Sequence, residues 1–434
     1  MPSGRCEDVS VASSGTVSDV KVAAEKALGQ SFLRLARGDG RLLNRWESLQ
    51  VAGLEDGDCI AAVAQQPKIA ATESAFALWC VEGQVVTWGA PDTGGNSATV
   101  RPELNYVLQV CATGAAFAAM LADGSVITWG DPNYGGDCSP VRHQLQNVGK
   151  LHSTWRAFAA IMADETVVTW GDPDFGGDST AVQGRLKGVK CIHATHNSFA
   201  AVLSDGTVVT WGNREGGSDS TGVQEWLRNV QRIYATDHAF AAILSDDSVV
   251  TWGDRAYGGD CKSVQAKLEK VREIHATTGA FVAILADDEV VACGSKDFIA
   301  DDERGRKRLP EQLRNGQRVC ASRYVLAATF GGEAVVSLGS VCSATMRLNN
   351  QQNFQQICSI GLTFAAILAD GTVTQKPEDR FGFADVRHRL CNVQQLYATS
   401  GAFAAILADG SLVTWGDPWF GGDSTAVQGQ LVHL

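Results

Sequence analysis

Residues 116–136 read AFAAMLADGSVITWGDPNYGG. Two apolar runs, 116–122 and 125–129, flank the pair Asp123-Gly124. Asp-Gly tolerates positive φ angles, so this pair predicts a two-residue type I′ hairpin between two strands. Phe117, Ala119 and Leu121 would face one side of the sheet and Ala118 and Met120 the other. Both sides are apolar. Such a sheet must be sandwiched between neighbours, as blades are in a β-propeller. Upstream, residues 110–113 predict a shorter first strand. Downstream, a glycine-rich loop leads to Val141, Leu145 and Val148, a spacing that suits a short helix or a fourth irregular strand.

The same pattern recurs along the chain. Trp-Gly falls at Trp88, Trp129, Trp170, Trp211 and Trp252, 41 residues apart each time. The next step lands on Cys293-Gly294, and a last copy carries Trp415-Gly416. A phenylalanine precedes each of these positions by twelve residues, from Phe76 through Phe117, Phe158, Phe199, Phe240 and Phe281, and again at Phe403. Phe364 marks a further unit that has lost its tryptophan. From about Ile69 onward the chain contains nine units, two of them degenerate, around 326–339 and 364–376. This period belongs to stacked or circular arrays. The expected fold is an all-β propeller of seven to nine blades with three to four strands each, over residues 67–434.

The recurring AFAAILADGSVVTWGDPxxGGDS resembles the repeat of the regulator of chromosome condensation family of β-propellers. The Asp-Gly turn and the Trp-Gly pair match that family's unit. Its histidine is replaced here by Ala or Ser, and its Gly-Gln-Leu-Gly tail by Gly-Gly-Asp-Ser. The resemblance implies a propeller, which in that family normally closes with seven blades. Nine units leave three arrangements open: a nine-unit ring, a seven-blade ring with extra units, and an open twisted array.

Residues 1–66 differ. A helix is expected over 17–28, capped by Ser18 or Asp19, then a strand over 32–35, a turn at 38–40 and a last strand before residue 65. The order, with the bend SLQVAGLEDGDC, resembles the later part of a ubiquitin-like β-grasp domain that lacks most of its first hairpin.

Of the 434 residues, 45% are hydrophobic and 19% charged, and the net charge is −12. An acidic chain without a basic stripe is a poor partner for nucleic acid or anionic lipid. No apolar run approaches the length that spans a bilayer, and the first residues lack a secretory h-region. Twelve cysteines without a CxxC pair are expected as reduced, mostly buried thiols. These features place the chain in the cytoplasm, with the nucleus left open, as a monomer that binds protein partners and neither nucleic acid nor membrane.

No catalytic motif, cofactor loop or metal-ligand spacing is present, so no enzyme, cofactor or metal is expected. Paired aspartates such as Asp131/Asp137 and Asp172/Asp178 suit turn capping better than calcium. His152, His193 and His275 share one position of the first strand with Tyr234 and Tyr397. A residue type that varies between units reads as a half-buried wall rather than a metal site. Two candidate binding features remain. The loops after Trp-Gly present Tyr134, Phe175, Tyr257, Trp419 and Phe420, which repetition would set along one rim. The irregular stretch 295–318 carries Arg304, Arg306, Lys307 and Arg308. The expected function is a protein-interaction scaffold. The resemblance implies two alternatives: a substrate-binding adaptor in ubiquitin ligation, and, ranked lower, a guanine-nucleotide exchange factor for a small GTPase.

Overall fold

The computed structural model describes residues 6–29, 33–41, 43, 47–64, 66–80, 83–287, 289–295, 318–321, 325–330, 333–338, 345–348, 354–361, 363–378 and 380–431. Within these lie nine antiparallel sheets of three or four strands in chain order, here called blades 1 to 9, besides a two-stranded sheet ahead of them. They occupy residues 68–89, 107–130, 148–171, 189–212, 230–253, 271–294, 318–348, 354–376 and 393–416. Eight have three strands; blade 7 has four. Blade 2 is typical: an inner strand Val107–Ala112, a middle strand Ala116–Leu121 and an outer strand Val126–Gly130. The middle strands are buried along all or all but the last residue of their length, as two-sided apolar sequences require. Blades 7 and 8, the degenerate units, form sheets like the rest.

The circle is complete. Each inner strand neighbours the next through all nine blades, and that of blade 9, Val393–Ala398, lies beside that of blade 1, Lys68–Ala71. Phe76 and Trp88 of blade 1 share an apolar cluster with Ala402, Ala404 and Ile406 of blade 9. Among the described residues no strand ladder runs between neighbouring sheets, although Gly83 of blade 1 makes an isolated bridge to Val107 of blade 2. They are joined by side-chain packing and by single hydrogen bonds.

The Trp-Gly and Phe positions make those joints. Phe117 stacks on Trp129 with ring centroids 5.2 Å apart, and Phe76–Trp88, Phe158–Trp170, Phe199–Trp211, Phe240–Trp252 and Phe403–Trp415 repeat the pair at 5.1–5.2 Å. Each phenylalanine is fully buried. The indole reaches the preceding blade: Trp129 Nε1 donates to the Gly94 carbonyl, Trp170 to Gly135, Trp211 to Gly176 and Trp252 to Gly217, at 3.0–3.1 Å. Trp88 makes the same bond to Gly421, at 3.0 Å, and so ties the first blade to the last. The accepting glycine has no alternative. Gly176 holds φ +90°, and a Cβ there would sit 2.7 Å from the Phe199 ring.

The Asp-Gly hairpin forms where expected but as a three-residue loop. Leu121 N–H donates to the Ser125 carbonyl and Gly124 N–H to that of Leu121. Of the two central residues only Gly124 has positive φ, at +79°. The Asp123 carboxylate accepts the Ser125 N–H at 2.9 Å, which favours a turn followed by one left-handed residue over type I′. The predicted helix or fourth strand after the glycine loop is instead a run of tight turns, with Val141 N–H on the Cys138 carbonyl and Gln144 on that of Val141. Val148 does not belong to it; this residue opens the inner strand of blade 3.

Ahead of the ring, a helix Val17–Leu28 packs on two antiparallel strands, Leu33–Arg37 and Ile60–Ala64. Its cap is Thr16, not Ser18 or Asp19; Asp19 reaches back to the Thr16 N–H at 2.7 Å. Gln66 contacts Gln394 of blade 9 through an amide hydrogen bond of 3.1 Å. No described helix is long and apolar enough to cross a membrane. The cysteines depart from expectation. Cys261 and Cys293 are bonded to one another, and Cys6, Cys59 and Cys391 are exposed.

Two substitutions test this account. At the turn position of Gly124, blades 3 and 5 carry Glu165 and Asp247 with φ +64° and +61°. The left-handed region costs a non-glycine residue about 1 kcal/mol, so Asp247→Gly should raise the thermal unfolding midpoint. Conversely, Gly176→Ala forces a methyl into Phe199. It should cost at least about 2 kcal/mol, read as a lower urea midpoint.

Candidate protein-binding face

In every regular blade the turn from inner to middle strand begins with a buried threonine. Thr113 Oγ1 accepts the Ala116 N–H at 3.0 Å and donates to the Tyr134 carbonyl at 2.9 Å. Thr154, Thr236 and Thr399 likewise donate to the carbonyls of Phe175, Tyr257 and Phe420. The threonine thereby pins the loop after Trp-Gly to the turn at the channel. This puts the rim aromatics and the channel mouth on one face of the ring.

The residue after each of these threonines joins a chain of backbone hydrogen bonds that runs from blade 9 through blade 1 to blade 6. Ser400 N–H donates to Glu73, Glu73 to Gly114, Gly114 to Trp155, Trp155 to His196, His196 to Asp237 and Asp237 to Thr278, each at 2.8–2.9 Å. This belt borders the channel mouth, a cavity of about 690 Å³ lined by Glu73, Trp155, His196 and Asp237 among others. The belt positions carry the variable side chains of an otherwise constant unit.

On blades 2 to 5 those side chains meet the rim. Trp155 stacks on His196 at 4.8 Å, and His196 lies 5.9 Å from both Phe175 and His238. His238 meets Tyr257 edge-on at 4.5 Å. The Arg156 guanidinium sits 4.6 Å from the Tyr134 ring centre and 5.1 Å from that of Phe175, and pairs with Asp172 at 3.4 Å. The result is one continuous aromatic and cationic wall, from Tyr134 to Tyr257, with its members half-buried. Stacked rings offer contact area that is already ordered, so binding on them costs little side-chain entropy.

Of the sequence candidates, Tyr134, Phe175 and Tyr257 come together in this wall. Trp419 and Phe420 lie apart on the turn of blade 9. Phe420 leans over Gly401, and Trp419 is 59% exposed. Arg304, Arg306, Lys307 and Arg308 lie outside the described residues. Trp155, Arg156, His196 and His238 were not singled out by the sequence reading. Their signal was present, because they occupy the two positions after the turn threonine, where the repeats disagree most.

The loop carboxylates cap turns. Asp131 accepts the Asn133 N–H at 2.8 Å and Asp417 that of Trp419 at 2.8 Å. Thr180 holds the Asp178 carboxyl below the usual range, and Thr221 with Arg214 brings Asp219 down to about 2. No three His, Cys, Asp or Glu among the described residues are grouped to hold a metal. His152 and His193 stand on the inner strands of adjacent blades. Burial, then the charges of His193 and Lys150, push the His152 imidazole down to about 4, and burial lowers His193 as well.

No protein-family model and no curated protein matches the chain. Among solved structures, similar ones include the CRINKLY WD40 ectodomain of the Arabidopsis thaliana receptor kinase ACR4, at 14% identity and TM-score 0.37, covering 64% of this chain and all of that one. Prp20p from Saccharomyces cerevisiae matches at 14% identity and TM-score 0.37, over 82% of this chain and 94% of its own. Human WBSCR16 matches at 15% identity and TM-score 0.37, over 69% and 87%.

The buried histidine sets an acid limit. The folded chain holds His152 at about 4, against 6.5 when exposed, so the unfolded chain takes up the proton first. The neutral ring's contribution is complete above pH 6.5 and is lost as the pH falls toward 4. His152→Gln should therefore show a smaller drop in thermal midpoint than wild type between pH 7 and pH 4.5.

Proposed function

We propose that this propeller is a protein-interaction scaffold that docks a partner on the channel-mouth face of blades 2 to 5. The observation that carries the reading is the continuous wall Tyr134–Arg156–Phe175–His196–His238–Tyr257, capped by Trp155 at the channel. Aromatic and arginine side chains held against one another supply the anchors that dominate protein interfaces. Regular repeats need no such cluster for stability, since their cohesion comes from the buried Phe–Trp pairs. The expected partner is a folded protein or an extended segment that crosses several blades, which is how a concave repeat surface is used. Residues 1–66 are proposed as a separate ubiquitin-like module.

The test is cross-linking capture with the full chain as bait, comparing wild type with Trp155→Ala/Arg156→Ala and with Glu225→Gln/Glu269→Gln on exposed sites away from the wall. A partner bound by wild type should bind the wall variant at least tenfold more weakly, a loss of about 1.4 kcal/mol, and the control equally well. Equal binding to all three sinks the reading.

A further inference from the structure

Blade 6 breaks the rule that joins blades 1 to 5 to their predecessors, and it breaks it at two positions together. Cys293 pairs with Phe281 in the sheet register, as Trp252 pairs with Phe240 one blade earlier. The indole that would reach back to the Gly258 carbonyl is therefore missing. Cys261, in the tail of blade 5, stands where Ser97, Ser179, Ser220 and Ser424 stand in other tails. Those serines contact a threonine of their own outer strand at 2.9–3.0 Å. The two cysteines are bonded, with Cα atoms 5.6 Å apart, and both sulfurs lie beside the Gly258 carbonyl, at 3.4 and 3.7 Å. A covalent link has taken the place of a hydrogen-bonded one at this seam alone among those described.

We propose that Cys261 and Cys293 form a redox latch between blades 5 and 6. Oxidation joins the two thiols through one S–S bond. Two protons and two electrons pass to a low-molecular-weight disulfide such as oxidised glutathione, which leaves as two thiols. A dithiol reductant reverses the exchange. Both cysteines are buried, 2% and 7% exposed, so exchange proceeds when the seam opens. Reduced, this seam has neither an indole bond nor a covalent bond. Gly258 then keeps only a thiol, a weak donor, on the carbonyl that its counterparts Gly94, Gly135, Gly176 and Gly217 present to an indole. The neighbouring residue is Tyr257, the last member of the aromatic wall. Resting on the docking reading above, the latch sets whether that end of the wall is held in place.

The experiment uses the full chain treated either with oxidised glutathione or with dithiothreitol. Peptide mapping reads the bond as the loss of two hydrogens in a linked Cys261/Cys293 peptide. Hydrogen exchange reads the seam. Closing a loop of this length should slow local opening by roughly a hundredfold, so exchange over residues 254–262 should be much faster after reduction while blades 2 to 4 stay unchanged. Cys293→Trp with Cys261→Ser restores the consensus pair of the other seams and should be slow in both conditions. If that variant fails to fold, Cys261→Ser alone should be fast in both. The proposal is overturned if the linked peptide never forms, if wild-type exchange is the same in both conditions, or if the variants still respond to redox state. Partner capture in the two conditions separates the claims. A redox-sensitive seam with unchanged capture leaves the latch standing and removes its link to docking. Capture that ignores the wall residues removes the docking reading and leaves the latch to the exchange result.

Discussion

A single indole hydrogen bond, repeated around the circle, holds this molecule together. In blades 1 to 5 the tryptophan stacks on a buried phenylalanine of its own sheet and donates its Nε1 proton to a glycine carbonyl of the sheet before it. Three residues are fixed by that arrangement at once. The phenylalanine must be flat and buried, the tryptophan must carry a donor at its far edge, and the glycine must have no Cβ because the next ring lies against it. The constancy of the spacing follows. An inserted residue between phenylalanine and tryptophan would turn one ring to the opposite side of the sheet. At the seam between blades 8 and 9 the acceptor changes instead: Trp415 of blade 9 donates to the Gln375 side chain of blade 8, at 2.8 Å.

The channel mouth is bordered by a second, independent chain of bonds across blades 9 and 1 to 6. The belt of backbone bonds from Ser400 through Glu73 to Thr278 fixes the distance between neighbouring turns, whatever side chains they bear. Because backbone atoms carry the belt, its hydrogen bonds do not require one particular side chain at each position. Glutamate, glycine, tryptophan, histidine, aspartate, threonine and serine all occupy it. A geometrically constant ring thus displays a chemically variable mouth, and the concentration of rings on blades 2 to 5 is a property of those positions rather than of the fold.

Much of this was legible in the sequence because it is local and repeated. The strands, the Asp-Gly turn, the two-sided burial of the middle strand and the propeller itself all follow from spacing. What was missed is non-local or subtle. Whether nine units close depends on Trp88 meeting Gly421, which no local pattern encodes. The turn type depended on an aspartate side chain binding the backbone two residues on. Val148 was assigned to the wrong element because its spacing from Leu145 fits a helix, although it begins a strand. On the face, tyrosine and phenylalanine were visible as recurring aromatics. Trp155, Arg156, His196 and His238 occupy positions that vary between units, so the repeat pattern does not mark them. The cysteine pair is likewise not encoded locally: Cys293 stands at the tryptophan position of its unit, and its partner Cys261 lies 32 residues away in a neighbouring unit.

The closing bond also has a cost in time. Trp88 waits for a carbonyl 333 residues further along the chain. At a synthesis rate of about 5–20 residues per second, that is roughly twenty seconds to a minute. Throughout that interval blade 1 exists with one greasy side uncovered, while blades behind it cover one another in turn. The ring thus passes through an open, sticky arc on the way to its final form, and the growing chain is exposed to aggregation until its last unit emerges.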